Sequence, residues 1–289
     1  MGIRGFWPFL YQKGYEAPIL DERSNLPDLL PGGSKLRVDI QGAIFSTIRH
    51  AYCFHDMDTA HSIAERALQR FATPANSALY LDGAPSQEKE STHRHRRENR
   101  LDALKLVELD IGDLKVRVEN KLRVRKQIFL RVQKNLAKGF YWEPEARQAF
   151  AVYLRHKGWT VQECATEADP KIAQDCLPGD VVVSGDSDLL LYKSVLTVWR
   201  PFSRRRLLVY HLPDVLTVIG INRTQLTVLG VVSTNDYNAN VPSLGAVSNF
   251  SIIKQLKGEG KVAAQREKKK MSIVCVLCAK YLTHFFNRA

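Results

Sequence analysis

Cysteine is scarce in this chain: five among 289 residues, an odd number. Cys275 and Cys278 have C-x-x-C spacing, but no second pair of cysteines or histidines stands near them, which argues against a zinc site. A sparse, odd set without a secretory leader fits a reducing, intracellular compartment rather than a disulfide framework. Long hydrophobic runs are also missing. The most apolar stretch, Met271 to Phe286, is too short to span a bilayer and contains Lys280, so no membrane partner is expected. The opening Met1-Gly2-Ile3-Arg4-Gly5-Phe6 does not lead from a charged region into an apolar core. Phe6 also stands where a myristoylated chain would have Ser or Thr. No internal repeat is present. Acidic charge is in deficit, with 42 Lys and Arg against 30 Asp and Glu, for a net charge of +12. That balance favours a polyanionic partner, nucleic acid before an anionic membrane surface. An apolar content of 45% supports a sizeable core in one large domain or two small ones.

In this basic setting the acids that remain stand out. Asp180-Val181-Val182-Val183-Ser184-Gly185-Asp186-Ser187-Asp188 reads as a strand buried on both faces that stops at Ser-Gly and delivers two aspartates at its carboxyl end. Open α/β sheets bind ligands at that end of their strands. Clustered carboxylates raise one another's pKa unless a cation neutralises them, and oxygen ligands select hard ions such as Mg²⁺ or Mn²⁺. By itself, Asp-x-Asp after a strand is equally compatible with helix capping.

The remaining pattern is of alternating strands and helices. Lys35 to Ile40 reads as a strand ending near Asp39, followed by helices over Gln41–Tyr52 and Asp58–Phe71. Ser77 to Gly83 is a second strand ending in an acid, Asp82. From Lys89 to Arg100 the chain is dense in Lys, Arg and His, and basic helical sequence continues through Asn135; a basic helix of this kind can track phosphates. Glu145–Lys157 reads as a helix and Trp159–Glu163 as a third strand. Thr166 is placed to cap a helix whose first turn holds Glu167 and Asp169. Strands at Val195–Trp199 and Arg204–Tyr210 follow, the second reading as an edge strand, then helices over Pro213–Gly220, Thr224–Val232 and Phe250–Leu256. Lys13–Ser34 reads as a loop and Lys257–Lys270 as a basic linker.

Five places thus supply carboxylates: Asp39, Asp82, Glu167 with Asp169, Asp186 with Asp188, and Asp236. Right-handed crossovers put the carboxyl ends of parallel strands on one edge. Acids gathered there suit a pair of divalent cations, which about 3.5–4 Å apart activate a water and stabilise the leaving oxygen in phosphodiester hydrolysis.

These residues resemble the flap endonuclease and xeroderma pigmentosum G-type superfamily of structure-specific 5′-nucleases, with a PIN-like fold. The resemblance rests on Met1–Phe6, on Tyr80-Leu81-Asp82-Gly83-Ala84-Pro85 with the basic run after it, on Glu163–Asp169 and on Val183–Asp188, and it spans about residues 1 to 256. It implies that Asp39, Asp82, Glu167, Asp169, Asp186, Asp188 and Asp236 are metal-site acids. Lys89 and Arg96 would contact the scissile phosphate at the foot of a helical arch, a role consistent with transition-state charge stabilisation. Arg97 and Arg100 would bind nucleic acid beside them. Gly2 would pack near the metals, and Phe45 is matched to a base-stacking aromatic, though a core position suits it equally.

The chain also departs from that family. Asp169 replaces a more usual Glu. In Asn238–Ala246, where a Gly-Ile-Gly hairpin that grips duplex is usual, one glycine remains. Leu282, Phe285 and Phe286 have the spacing of a sliding-clamp-binding box, but Ala279 stands where its Gln belongs, so a clamp partner is only weakly suggested. The expectation is an α/β, PIN-like three-layer fold around a mainly parallel sheet. Its parts are an N-terminal nuclease half (1–100), a helical arch with connecting helices (101–158), an internal nuclease half (159–212), a degenerate helix-hairpin-helix-like module (213–256) and a basic linker with a short C-terminal helix (257–289). The expected function is Mg²⁺-dependent cleavage, with Mn²⁺ able to substitute, of flap, branched or single-strand-bearing DNA, with RNA as the second substrate class. A 5′-phosphate and 3′-hydroxyl would result. A nuclear location in DNA repair or replication is expected, Arg266–Lys270 serving as a basic localisation patch. The alternatives are a catalytically inactive nucleic-acid scaffold on the same fold and a phosphatase of another α/β class.

Overall fold

The computed structural model describes residues 3, 5–21, 26–84, 89–203, 206–233 and 245–255. Gly2, Asp236, Asn238–Leu244, the linker, the clamp-like segment and both C-terminal cysteines lie outside the described residues.

The parallel sheet anticipated from the strand–helix alternation is present. Seven strands are β1 (Ile19–Asp21), β2 (Leu36–Asp39), β3 (Ser77–Leu81), β4 (Thr160–Glu163), β5 (Val181–Val183), β6 (Thr197–Ser203) and β7 (Arg206–His211). They lie in the order β1-β7-β6-β5-β2-β3-β4. β6, β5, β2, β3 and β4 run parallel, while β7 is antiparallel to both β6 and β1. The valine strand β5 is the middle one, and Val182 and Val183 are 0% exposed, as a run of β-branched residues with no polar face requires.

Ten α-helices accompany the sheet among the described residues: α1 (Phe6–Gln12), α2 (Ile40–Phe54), α3 (Met57–Leu68), α4 (Glu90–Glu119), α5 (Lys126–Gly139), α6 (Pro144–His156), α7 (Ala168–Asp175), α8 (Leu212–Ile219), α9 (Arg223–Val232) and α10 (Ala246–Gln255). No single described helix is long and apolar enough to cross a membrane.

The chain divides into two compact units. The first comprises Met1–Ala43, Arg70–Ala84 and Gly158–Ala289, and contains the whole sheet. Its core joins Phe6, Phe9 and Leu10 of α1 to Tyr80, Val182, Leu189, Leu190, Tyr210, Leu226 and Phe250. A buried ion pair ties the amino-terminal ends of β2 and β5. Asp180 accepts from Lys35 N and Leu177 N and pairs with Arg37 at 2.7 Å, so its charge is fully hydrogen-bonded.

The second unit comprises Ile44–Gln69 and Pro85–Lys157. In it α4, about 45 Å long at 1.5 Å per residue, packs on α5, Ala103, Val107 and Ile128 of the two helices are buried, and the Arg131 guanidinium grips the Asp110 carboxylate. An aromatic cluster of Tyr52, His61, Trp142, Phe150 and Tyr153 fills the space among α2, α3 and α6.

Three local expectations are corrected. The basic helix does not run unbroken to Asn135: it ends at Glu119, Lys121 adopts a left-handed φ of 54°, and α5 starts at Lys126. The strand at Arg206–His211 is not an edge. Ile19–Asp21, inside the supposed loop, pairs outside it. Thr166 does not cap α7. The N-cap position is Glu167, and the Ala168 amide instead donates to the Asp82 carboxylate at 2.7 Å, from a different strand.

Candidate metal centre

Four adjacent parallel strands end on one edge of the first unit, and each is followed by an acid. Asp39 is the last residue of β2. Asp82 immediately follows β3. Glu167 and Asp169 open α7, the element after β4, and Asp186 and Asp188 follow β5. All six described acids therefore arise where parallel topology directs them. The seventh, Asp236, lies outside the described residues.

Asp39, Asp82 and Asp186 are held by hydrogen bonds, some local and some from distant segments. Asp39 accepts from Gly42 N at 2.9 Å and from Ser184 Oγ at 2.7 Å. Asp82 accepts from Ala168 N. Asp186 accepts from the Asp188 amide at 2.9 Å, and its own amide donates to Ser184 Oγ at 3.0 Å. Around the 184–188 turn, the Gly185 amide donates to Gly42 O, Trp7 Nε1 donates to Gly185 O at 3.0 Å, and Ile3 N donates to Ser187 Oγ at 2.9 Å.

The acids act on one another electrostatically. Burial, then the Asp82 charge, and also that of Asp186, push the Asp39 carboxyl up to about 7, although the bonds from Gly42 and Ser184 pull it down. The Tyr192 phenol is raised well above its ordinary value, by burial and then by Asp169, Asp188, Glu167 and Asp186. The Cys164 thiol is pushed up to about 11 by burial and then Asp82. Asp186 thus belongs to both groups, and the six acids form one connected negative field. Among the described residues no three His, Cys, Asp or Glu side chains converge as ligands of a single ion. Like charges repel, and hydrogen bonds to backbone amides hold Asp39, Asp82 and Asp186 at their stations. The donor chemistry nevertheless suits a hard divalent cation: oxygen ligands only, with a negative field rising in a buried edge.

Apart from Gly2, which lies outside the described residues, the remaining expected site residues lie in the second unit. Lys89 occupies the N-cap position of α4 and is buried. Arg96 and Arg100 are half-buried and Arg97 is exposed along the first turns of that helix, with the Arg100 guanidinium 4.7 Å from the Tyr141 ring centroid. Phe45 is half-buried, its ring 6.0 Å from that of Phe140.

Ser184, Gly42, Tyr192, Trp7 and Ser187 join the site in the structure although no sequence motif marks them as site residues. Ser184 and Gly185 read only as a turn. The available signal was the break itself: a hydroxyl directly follows three valines, two residues before the first acid. Gly42 carried no comparable signal, yet a Cβ there would collide with the Asp39 carboxylate and Ser184 Oγ.

A mostly parallel sheet flanked by helices, with acids along one carboxyl edge, gives the class of the fold: α/β and PIN-like. Comparison with known proteins places it more closely. The catalytic core of Rad2 in complex with DNA substrate superposes with a TM-score of 0.57 at 17% identity, over 94% of this chain and 76% of that one. Flap endonuclease-1 from Methanococcus jannaschii gives 0.51 at 20% identity, over 89% and 79%. In sequence, flap endonuclease 1 of Picrophilus torridus is 31% identical over 117 residues, a match covering 35% of this chain and 35% of the relative. No protein-family model matches. The chain has the fold of the flap endonucleases and Rad2-type nucleases, the superfamily its motifs resemble.

Proposed function

We propose that this chain is a structure-specific DNA nuclease of the 5′-flap endonuclease or 5′-exonuclease type, hydrolysing phosphodiester bonds with two Mg²⁺ ions, Mn²⁺ serving in their place. One observation carries the reading. Six acids from four strand ends share one edge, and Asp186 couples electrostatically both to Asp39 with Asp82's neighbourhood and to the group around Tyr192. The resemblance to DNA-bound Rad2 supports the choice of substrate.

Asp39, Asp82, Asp186 and Asp188, with Glu167 and Asp169, are the residues that would hold the ions; Asp236 joins them by motif. Bound divalent cations supply a nucleophile at neutral pH and Lewis-acid stabilisation of the departing oxygen. The chain's own residues supply position and charge. Asp39 and Asp186 are fixed by hydrogen bonds from Gly42, Ser184 and the Asp188 amide before substrate arrives. Lys89 and Arg96, at the amino-terminal end of α4, offer cations to a phosphate where the helix dipole also favours an anion. Arg97 and Arg100 add backbone contacts. Phe45 offers a ring face to an unpaired base. A nuclear repair or replication role belongs to the same proposal, supported by the basic run Arg266–Lys270.

The test is cleavage of end-labelled 5′-flap, single-stranded and RNA substrates with Mg²⁺, beside Asp186→Asn. Wild-type cleavage that EDTA and the substitution both abolish is expected, with flap product lengths marking the junction. Binding without cleavage in both proteins would replace the enzyme with a nucleic-acid scaffold.

A further inference from the structure

The acid-bearing turn after β5 is joined to the end of β2 through one side chain. Ser184 is 0% exposed. Its Oγ donates to Asp39 Oδ2 at 2.7 Å and accepts from the Asp186 amide at 3.0 Å. It therefore spans two acids that are 147 residues apart in sequence (186 − 39) and come from neighbouring strands. A parallel link lies beside it: the Gly42 amide donates to Asp39 Oδ1, and Gly42 O accepts from the Gly185 amide at 2.9 Å. The two links close a ring of hydrogen bonds through Asp39, Gly42, Gly185 and Ser184. The ring is tight, since a Cβ at Gly42 would fall on the Asp39 carboxylate and the serine hydroxyl.

Each oxygen of Asp39 takes one hydrogen bond from this ring. A carboxylate has about four lone-pair sites, so two stay available to a cation with the group's rotation already fixed. An aliphatic residue at 184 would continue the valine run and satisfy packing, but would leave the Asp186 amide and Asp39 Oδ2 without this bridge. The side chain needed here is a small one that both donates and accepts.

We infer that Ser184 is a positioning residue that sets Asp39 and Asp186 relative to each other and so determines the affinity of this edge for divalent cations. The inference rests on the metal-dependent reading above and extends it to a group that would not itself touch an ion. Residues one step removed from a metal alter its affinity about 10–100-fold when removed.

The measurement is Mn²⁺ affinity, from the electron paramagnetic resonance signal of free ion titrated with protein. Wild type is compared with Ser184→Ala and Ser184→Thr, with flap-DNA binding in EDTA as a control. Ser184→Ala is expected to bind Mn²⁺ at least about tenfold more weakly, Ser184→Thr within a few-fold of wild type, and DNA binding in EDTA to be alike in all three. A folded Ser184→Ala with wild-type Mn²⁺ affinity overturns the inference and leaves the nuclease reading standing. Equal loss in both variants also overturns it, because packing rather than the hydroxyl would then matter. Wild type without saturable Mn²⁺ binding overturns both. If Ser184→Ala does not fold, amide exchange in the wild type decides. The Asp186 amide is expected to exchange slowly in EDTA, and exchange at the rate of an unprotected loop overturns the inference.

Discussion

Asp39 is buried at the end of a strand with two other acids acting on it, and the cost of ionising it there is visible as a carboxyl pushed up to about 7. An unfolded Asp titrates near 4. Without divalent cation, the folded state therefore keeps a proton that the unfolded state releases across that interval. By linkage, the contribution of this group to stability is fully present below the unfolded pKa and is lost as pH rises through the folded pKa. Asp39→Asn cannot lose that proton. In EDTA, urea denaturation of wild type and Asp39→Asn should diverge as pH goes from about 4 to about 7, with the variant gaining relative stability, and run parallel above that. Profiles that stay parallel throughout would show that Asp39 does not carry the shift. Gly42 gives a second prediction at this scale. Since Gly42→Ala forces a methyl onto Asp39 and Ser184, it should cost about 1–3 kcal/mol, the usual range for overpacking, measured by chemical denaturation.

Among the elements, α7 shows how a site acid also serves the fold. Its first amide is satisfied from β3's end, by Asp82 Oδ1, rather than by its own N-cap. Loss of an N-cap acceptor costs about 1 kcal/mol. Asp82→Asn keeps an oxygen at the cap and should be close to wild type in stability, whereas Asp82→Ala should lose about 1 kcal/mol. Both should lose metal-dependent cleavage. Thermal unfolding beside the cleavage assay separates the two roles, and equal stability of the two variants would remove the capping account. The α4–α5 pair makes the complementary point. Its break at Lys121 is marked locally only by Asn120, the C-cap of α4, and that signal is masked by charged residues of high helix propensity on both sides of the turn.

At the scale of the whole molecule, the net charge of +12 sets the salt response. Affinity for flap DNA in EDTA should fall linearly on a logarithmic salt scale, as counterion release requires. Replacing Arg96, Arg97 and Arg100 with Ala should reduce the slope by about one for each phosphate that these side chains neutralise. An unchanged slope would take these three out of the nucleic-acid surface. The charge sits in a chain whose acids are concentrated at strand ends in one compact unit, while the arginine-rich start of α4 lies in the other.

The strands that carry the acids were legible without coordinates. Val181–Val183 is β-branched throughout, Asp82 ends a short apolar run and Asp39 an alternating one, and Gly or Pro punctuates the intervals, so period and composition alone located the edge on which six acids fall. Local pattern holds that information because a strand's burial and its ending are properties of neighbouring residues. The contacts that make the edge a site were not legible. Ser184 to Asp39 spans 145 positions, Trp7 to Gly185 spans 178, and Ala168 to Asp82 spans 86. The pairing of Ile19–Asp21 outside β7 is of the same kind. Hydrogen bonds between distant segments leave no periodicity in either partner. They exist only once the sheet has put its strand ends side by side, so the sequence determined which acids reach the edge and the tertiary structure decided how each one is held.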